Sequence, residues 1–237
     1  MTQAAPICLI TRPEPEAHRF AEDVRAQTGL TTLVSPLMRY AYPEVSIKID
    51  KYAGVILTSG ASLPVLKALS RNRRHPVYAV GAKTGQMASD AGFDVVIGPG
   101  DAAGLMDVLL KTRPAGPLLH LRGEHTRGDV AQQLTDGGIE TEEVVVYQQL
   151  ECDLTPEARQ VLSGETPVIL PLFSPRTADI LAQSAPFSAP LYIVAMSDAV
   201  ARQCRDLAHA AIRVADTPDA QAMLRCVQEV ARHHSAG

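Results

Sequence analysis

Two stretches decide how this chain is read: Ala53-Gly-Val-Ile-Leu-Thr-Ser-Gly-Ala-Ser62 and Pro167-Val-Ile-Leu-Pro-Leu-Phe-Ser-Pro-Arg176. Each is an apolar run ending in a small hydroxyl residue, Ser59 or Ser174, and each leads into a helical pattern. The likeness continues downstream. Pro76-Val-Tyr-Ala-Val-Gly81 matches Pro190-Leu-Tyr-Ile-Val-Ala195. Phe93–Ile97 with Pro99 matches Ile212–Ala215 with Pro218, and Leu105 or Met223 opens a closing amphipathic segment. A third pair falls outside this frame. Cys8-Leu-Ile-Thr-Arg12 leads to Gly29 and an apolar run ending near Tyr40, while Leu118-Leu-His-Leu-Arg122 leads to Gly137-Gly138 and Val144–Tyr147. The unit that begins one copy ends the other. Internal repetition decides architecture before any local motif does. This out-of-phase repeat predicts two similar α/β lobes, one built from both chain ends and one inserted between them.

The expected boundaries are 1–38 plus 151–237 for the discontinuous lobe and 45–146 for the inserted one. Segments 39–44 and 147–150 would cross between them as a two-stranded connector. Short apolar runs are strand candidates at Ile7–Thr11, Thr31–Ser35, Gly54–Thr58, Val77–Val80, Asp94–Ile97, Leu118–Leu121, Glu140–Tyr147, Val168–Phe173, Leu191–Ala195 and Ala211–Ala215. Most lack polar alternation, as parallel strands covered on both faces do. Helices should follow from Glu14, Ala61, Lys83, Ala102, Glu124, Thr155, Arg176, Asp198 and Asp219. Strand–helix alternation means parallel, doubly wound, flavodoxin-like sheets.

The bulk properties narrow the function. At 237 residues the chain suits two domains, and 46% apolar content supports real cores. A formal charge of −4 and the absence of Trp argue against nucleic-acid binding. No window approaches the roughly 18 apolar residues of a membrane span, and no secretory leader is read at Met1–Pro6. The expectation is a cytoplasmic monomer with no membrane partner. Cys8, Cys152, Cys204 and Cys226 form no CxxC pair and read as free thiols. Dinucleotide, Walker, zincin and nucleophile-elbow motifs are absent. The histidines lack metal-ligand spacing, so neither metal nor cofactor is expected.

What remains is a set of strand-to-helix turns rich in small and hydroxyl residues: Thr58-Ser59-Gly60, Gly81-Ala82-Lys83-Thr84, Ser174-Pro175-Arg176 and Ser197 with Asp198. In a parallel sheet all such turns lie at the carboxyl edge. Each hydroxyl suits a helix cap. Together, with free backbone N–H groups at helix starts, they also suit an anionic ligand. Arg12 and Arg122 close equivalent strands, with Arg127 and Arg176 nearby, and read either as surface arginines or as carboxylate clamps. Tyr147 ends an apolar strand, as a hinge residue or as a phenol donor. A cleft between paired lobes is a favoured place for such a site.

The order and spacing of Thr11-Arg-Pro13, Leu57-Thr-Ser59, Ala79-Val-Gly-Ala-Lys-Thr84, Leu121-Arg-Gly123 with Arg127, Val145-Val-Tyr147, Phe173-Ser-Pro-Arg176 and the Ser197 turn resemble the uroporphyrinogen-III synthase family. The likeness covers nearly the whole chain. It implies conversion of the linear tetrapyrrole hydroxymethylbilane into a cyclic product, with loss of water and inversion of ring D. The implied route loses the terminal hydroxyl to give an azafulvene, then closes through a spiro intermediate. The resemblance implies no cofactor, a cleft site, Tyr147 assisting hydroxyl departure, and porphobilinogen deaminase as a functional partner. Two turns depart from the family pattern: Ser59-Gly60-Ala61 lacks the arginine of Ser-Pro-Arg, and Ala195-Met-Ser-Asp198 replaces a glycine with paired threonines. The competing reading is a non-catalytic two-lobed binding or sensor protein for a tetrapyrrole-like molecule. A receiver-like phosphate acceptor is disfavoured, because no candidate strand ends in aspartate.

Overall fold

A computed structural model describes residues 5–125 and 128–235; Arg127 therefore lies outside the described residues. The elements run β1 (Ile7–Ile10), α1 (Glu16–Thr28), β2 (Thr31–Val34), β3 (Met38–Ala41), β4 (Gly54–Leu57), α2 (Leu63–Leu69), β5 (Val77–Ala79), α3 (Ala82–Asp90), β6 (Val95–Ile97), α4 (Ala102–Thr112) and β7 (Leu118–Gly123). There follow α5 (Val130–Asp136), β8 (Thr141–Glu151), α6 (Pro156–Leu162), β9 (Val168–Leu172), α7 (Pro175–Gln183), β10 (Leu191–Ala195), α8 (Asp198–Gln203), β11 (Ala211–Val214) and α9 (Ala220–Ser235).

The strands form two sheets. One has the order β11-β10-β9-β1-β2 and the other β3-β8-β7-β4-β5-β6. The strands of the first sheet pair in parallel, as do those from β8 to β6 in the second. If β7 and β8 are taken as the counterparts of β1 and β2, the first sheet and the five strands from β8 to β6 of the second share the flavodoxin-like order 2-1-3-4-5, with β3 added at the second sheet's edge beside β8. That is the out-of-phase repeat in three dimensions: one spatial order, threaded from two different starting points. The chain divides into one unit of Met1–Arg39 with Leu150–Gly237 and another of Tyr40–Gln149. Both changes of unit fall inside strands, β3 and β8, which are neighbours in the six-stranded sheet.

Each sheet is covered on both faces, which is why its strands read as continuous apolar runs. Along β9, Val168, Leu170 and Leu172 enter one core with residues of α6, α7 and α8, while Ile169 enters the other with residues of α1 and α9. Along β4, Val55 and Leu57 pack on one face and Ile56 on the other. Proline in a central strand cannot complete two ladders, because it has no N–H. At Pro171 the β10 side continues to Ala195↔Leu172, whereas the β1 pairing covers Ile7↔Val168 and Cys8↔Ile169. The ladder therefore opens between β1 and β9, toward the carboxyl edge.

One expectation is corrected. The helix after β7 begins at Val130, not Glu124; Gly128, two residues before it, sits in the left-handed region at φ 82°, which a helix cannot contain. The segments 39–44 and 147–150, expected as a two-stranded connector, include strand residues: β3 spans Met38–Ala41 and β8 runs to Glu151. Among the described residues, no helix is long and apolar enough to cross a membrane.

Candidate active site

In doubly wound sheets ligands sit beyond the strand carboxyl ends, where the strand order reverses. In the inserted unit that point lies between β7 and β4. A cavity of about 310 Å³ occurs there, lined by Thr58, Ser59, Val80, Gly100, Asp101, Ala102, His120, His125, Val130 and Tyr147. Three residues expected from sequence are thus gathered: Thr58, Ser59 and Tyr147. The others of this unit, Gly60, Gly81, Ala82, Lys83, Thr84 and Arg122, are not among the lining residues. Gly81 supports the wall from behind, since a Cβ there would lie 3.1 Å from the Gly100 Cα.

Tyr147 reaches the cavity through a break in register. Arg122 pairs with Val145 but Gly123 pairs with Tyr147, so one extra residue bulges out of β8 and re-aims the next side chain. The phenol lies over Gly123, where a Cβ would come within 2.7 Å of the Tyr147 hydroxyl oxygen. An edge-on contact with Tyr40, 5.6 Å between ring centres, holds the ring from another side. The tyrosine is 8% exposed. The phenol is thus held on two sides at the cavity wall.

Thr58 and His120 bridge the switch point. The Thr58 hydroxyl is 3.1 Å from His120 Nε2, so the end of β4 is joined to β7 across the sheet. His120 is 1% exposed. Burial, with a smaller contribution from the Arg122 charge, lowers its pKa to about 4; the Glu143 carboxylate opposes this. The imidazole is therefore neutral at pH 7. The consequence for stability has a definite sign. An unfolded histidine titrates near about 6.5, so below that pH the unfolded chain takes up a proton that folded His120 refuses. Stability from this group is complete above about pH 6.5 and is lost as pH falls toward 4, by at most about 1.4 kcal/mol per pH unit. His120→Gln should remove that contribution. Urea melts at pH 7 and pH 5 should show wild type losing more stability than the variant. Equal losses would mean that His120 is not held neutral.

Arg122 is occupied within the unit. Its Nη2 donates to Glu143 at 2.8 Å, and its Nη1 to the carbonyls of Gly123 and Glu124 at 2.9 and 3.2 Å. Ser59 caps the turn that follows it, its Oγ accepting from the Ala61 N–H at 3.2 Å.

In the discontinuous unit the switch point lies between β1 and β9. Arg12 follows β1, and its guanidinium lies 4.0 Å from the centre of the Phe173 ring. Phe173 in turn meets Phe20 edge-on at 5.0 Å. Ser174 caps α7, its Oγ accepting from the Thr177 N–H at 3.1 Å, with Pro175 in the first turn. Arg176 pairs with Glu151 at 3.2 Å. Ser197 precedes α8 without a side-chain cap bond, and Asp198 is that helix's first residue.

Sequence reasoning missed His120, Asp101 and Phe173. In the sequence His120 stands out only as one of the histidines without metal-ligand spacing. The available signal was register: it shares a strand face with Leu118 and Arg122, just before the carboxyl edge. Asp101 ends the turn Gly98-Pro99-Gly100 and caps α4 at 2.7 Å from the Gly104 nitrogen. Among the described residues, no group of three or more His, Cys, Asp or Glu side chains is placed to hold a metal.

The model of the family described as uroporphyrinogen-III synthase HemD matches residues 19–225. No curated protein matches the chain significantly. Two solved structures are similar. A uroporphyrinogen-III synthetase from Helicobacter pylori superposes with a TM-score of 0.65 at 17% identity, covering 96% of this chain and 100% of that one. A mutant uroporphyrinogen III synthase from the extreme thermophile Thermus thermophilus gives 0.51 at 16% identity, covering 97% and 100%. At these identities the structures show a shared fold. The family match spans well over half the sequence, and the chain belongs to the uroporphyrinogen-III synthase HemD family.

Proposed function

We propose that this chain converts hydroxymethylbilane into uroporphyrinogen III, acting as a hydro-lyase without cofactor or metal, and that Tyr147 is its acid-side residue. The observation that carries the reading is the cavity at the β7/β4 switch point, lined together by the Tyr147 phenol, Thr58 and Ser59. In this reading the phenol hydrogen-bonds to the terminal hydroxyl of the bilane as it leaves as water. The azafulvene then closes on ring D through the spiro intermediate, and ring D is inverted. Donor assistance of this kind is typically worth about 10²–10⁴ in rate. Holding both ends of one linear molecule near each other supplies proximity in addition.

The rim carboxylates of the bilane fall to the carboxyl-edge turns: Ser59 and Gly60, Gly81 to Thr84, Ser174 to Arg176, and Ser197. Backbone N–H groups at helix starts favour anions, so an acidic protein can hold them without a basic surface. Arg12, stacked on Phe173, is the proposed guanidinium partner in the discontinuous unit. Arg122, already bonded to Glu143 and to the Gly123 and Glu124 carbonyls, acts in this reading by fixing the carboxyl end of β7 against β8, under Tyr147. The reading includes a cytoplasmic monomer that receives its short-lived substrate from porphobilinogen deaminase.

A coupled assay with that deaminase, resolving product isomers, tests the reading. Uroporphyrinogen III is the expected product. Tight binding of bilane with no change in isomer ratio would instead support the binding-protein alternative.

A further inference from the structure

We propose that His120 is a positioning residue whose Nε2 accepts a hydrogen bond from the Thr58 hydroxyl, so that Thr58 offers an oxygen lone pair to an N–H donor of the substrate, such as a pyrrole nitrogen, and not a proton to a carboxylate. The inference rests on the functional reading above and deepens it, by naming which chemical group meets this wall of the cavity.

The two ring nitrogens of His120 face different groups. Nε2 lies 3.1 Å from Thr58 Oγ1. Nδ1 is fully buried, has no hydrogen-bond partner, and lies 3.9 Å from the Glu143 carboxylate. A neutral imidazole carries its proton on one nitrogen only. With the proton on Nε2, a bare lone pair at Nδ1 would face a carboxylate in a buried place, which is repulsive. With the proton on Nδ1, an N–H faces that carboxylate, which is attractive even beyond hydrogen-bond distance. The Arg122 guanidinium bonds Glu143 at 2.8 Å and fixes where that charge sits. Among the described residues, His125 and Asp101 are the other titratable groups on the cavity wall besides Tyr147.

The Nδ1–H form leaves Nε2 as an acceptor. A hydroxyl has one proton and two lone pairs. The Thr58 proton is then committed to Nε2, and what the hydroxyl presents to the cavity is acceptor only. A carboxylate oxygen is repelled there and an N–H is accepted. A linear tetrapyrrole carries both groups, acidic ones around its rim and N–H groups along its inner edge. The Thr58 wall selects the inner edge, while the helix-start turns take the rim.

The test has a spectroscopic and a kinetic arm. In full-length protein labelled with ¹⁵N-histidine, the His120 ring signals are identified by their loss in His120→Gln. At pH 7 Nδ1 should be protonated and Nε2 unprotonated. A proton on Nε2 would overturn the proposal, because Thr58 would then be free to donate. In the coupled assay, Thr58→Val and His120→Leu should each raise KM about 3- to 10-fold, the worth of one neutral hydrogen bond, with kcat little changed. The double variant should be no worse than the poorer single. His120→Gln, whose amide oxygen can accept the same proton, should restore most of the loss. Multiplicative effects, or no KM change in Thr58→Val, would contradict the proposal. If His120→Leu does not fold, the tautomer measured in wild type decides alone. A wild-type chain that makes no uroporphyrinogen III would sink the functional reading, while the tautomer assignment would still stand or fall by its spectrum.

Discussion

Replacing Tyr147 with Phe should lower the rate of uroporphyrinogen III formation by about 10- to 10³-fold, at or below the usual general-acid range, and leave the melting temperature close to wild type. The ring is what packs: it lies over Gly123 and meets Tyr40 edge-on at 5.6 Å. Phe keeps those contacts and removes only the hydroxyl. The loss should be incomplete, because the terminal hydroxyl can leave unaided and the bound bilane is still held with its ends near each other. Isomer-resolved product analysis beside a thermal melt is the measurement. Wild-type rates in a well-folded variant would remove Tyr147 from the chemistry and leave it a packing residue.

Gly123→Ala should cost about as much activity, for a steric reason. A Cβ at 123 would sit 2.5 Å from Tyr147 Cζ and 2.7 Å from both Cε2 and the hydroxyl oxygen. Contacts that short require the ring to move. Gly123 is buried and paired within β7, so the backbone has little freedom to give way. Overpacking of this kind typically costs about 1–3 kcal/mol of stability. The displaced phenol should lose its place at the cavity wall, giving a fall of about 10²-fold or more, as expected where a catalytic group is moved by an ångström or so. The two changes act through one group, so Gly123→Ala in a Tyr147→Phe background should add little further loss of rate. If instead the two losses multiply, Gly123 contributes to activity by a route other than the phenol. Rates of the four proteins, with urea melts to separate folding from chemistry, decide between these outcomes.

The parallel α/β fold was legible because its signal is redundant. The run Gly54–Leu57 and the run Val168–Leu172 are apolar at every position, as strands covered on both faces must be. Their order relative to the Cys8 and Leu118 runs fixed the permutation. The start of α5 was not legible in the same way, because Glu124 and His125 are helix-compatible residue types, and the left-handed Gly128 is visible only in the backbone. The bulge that re-aims Tyr147 also left no mark, since Val144, Val145 and Val146 are alike in sequence. Within the candidate site, hydroxyl residues at strand ends stood out as types. The partnership of Thr58 with His120 did not, because it depends on which of two strands 62 residues apart lie side by side. Phe173 was read as the end of a strand; its role under Arg12 appears only once β1 and β9 are neighbours.

The central claim is that the chain itself directs ring inversion. The most direct measurement supplies purified protein with free hydroxymethylbilane, no deaminase present, and follows the isomer ratio of the cyclised product over time. The expected result is uroporphyrinogen III in excess, in an amount that rises with protein concentration. A product in which ring D is not inverted, in the same proportion with and without the protein, would contradict the account.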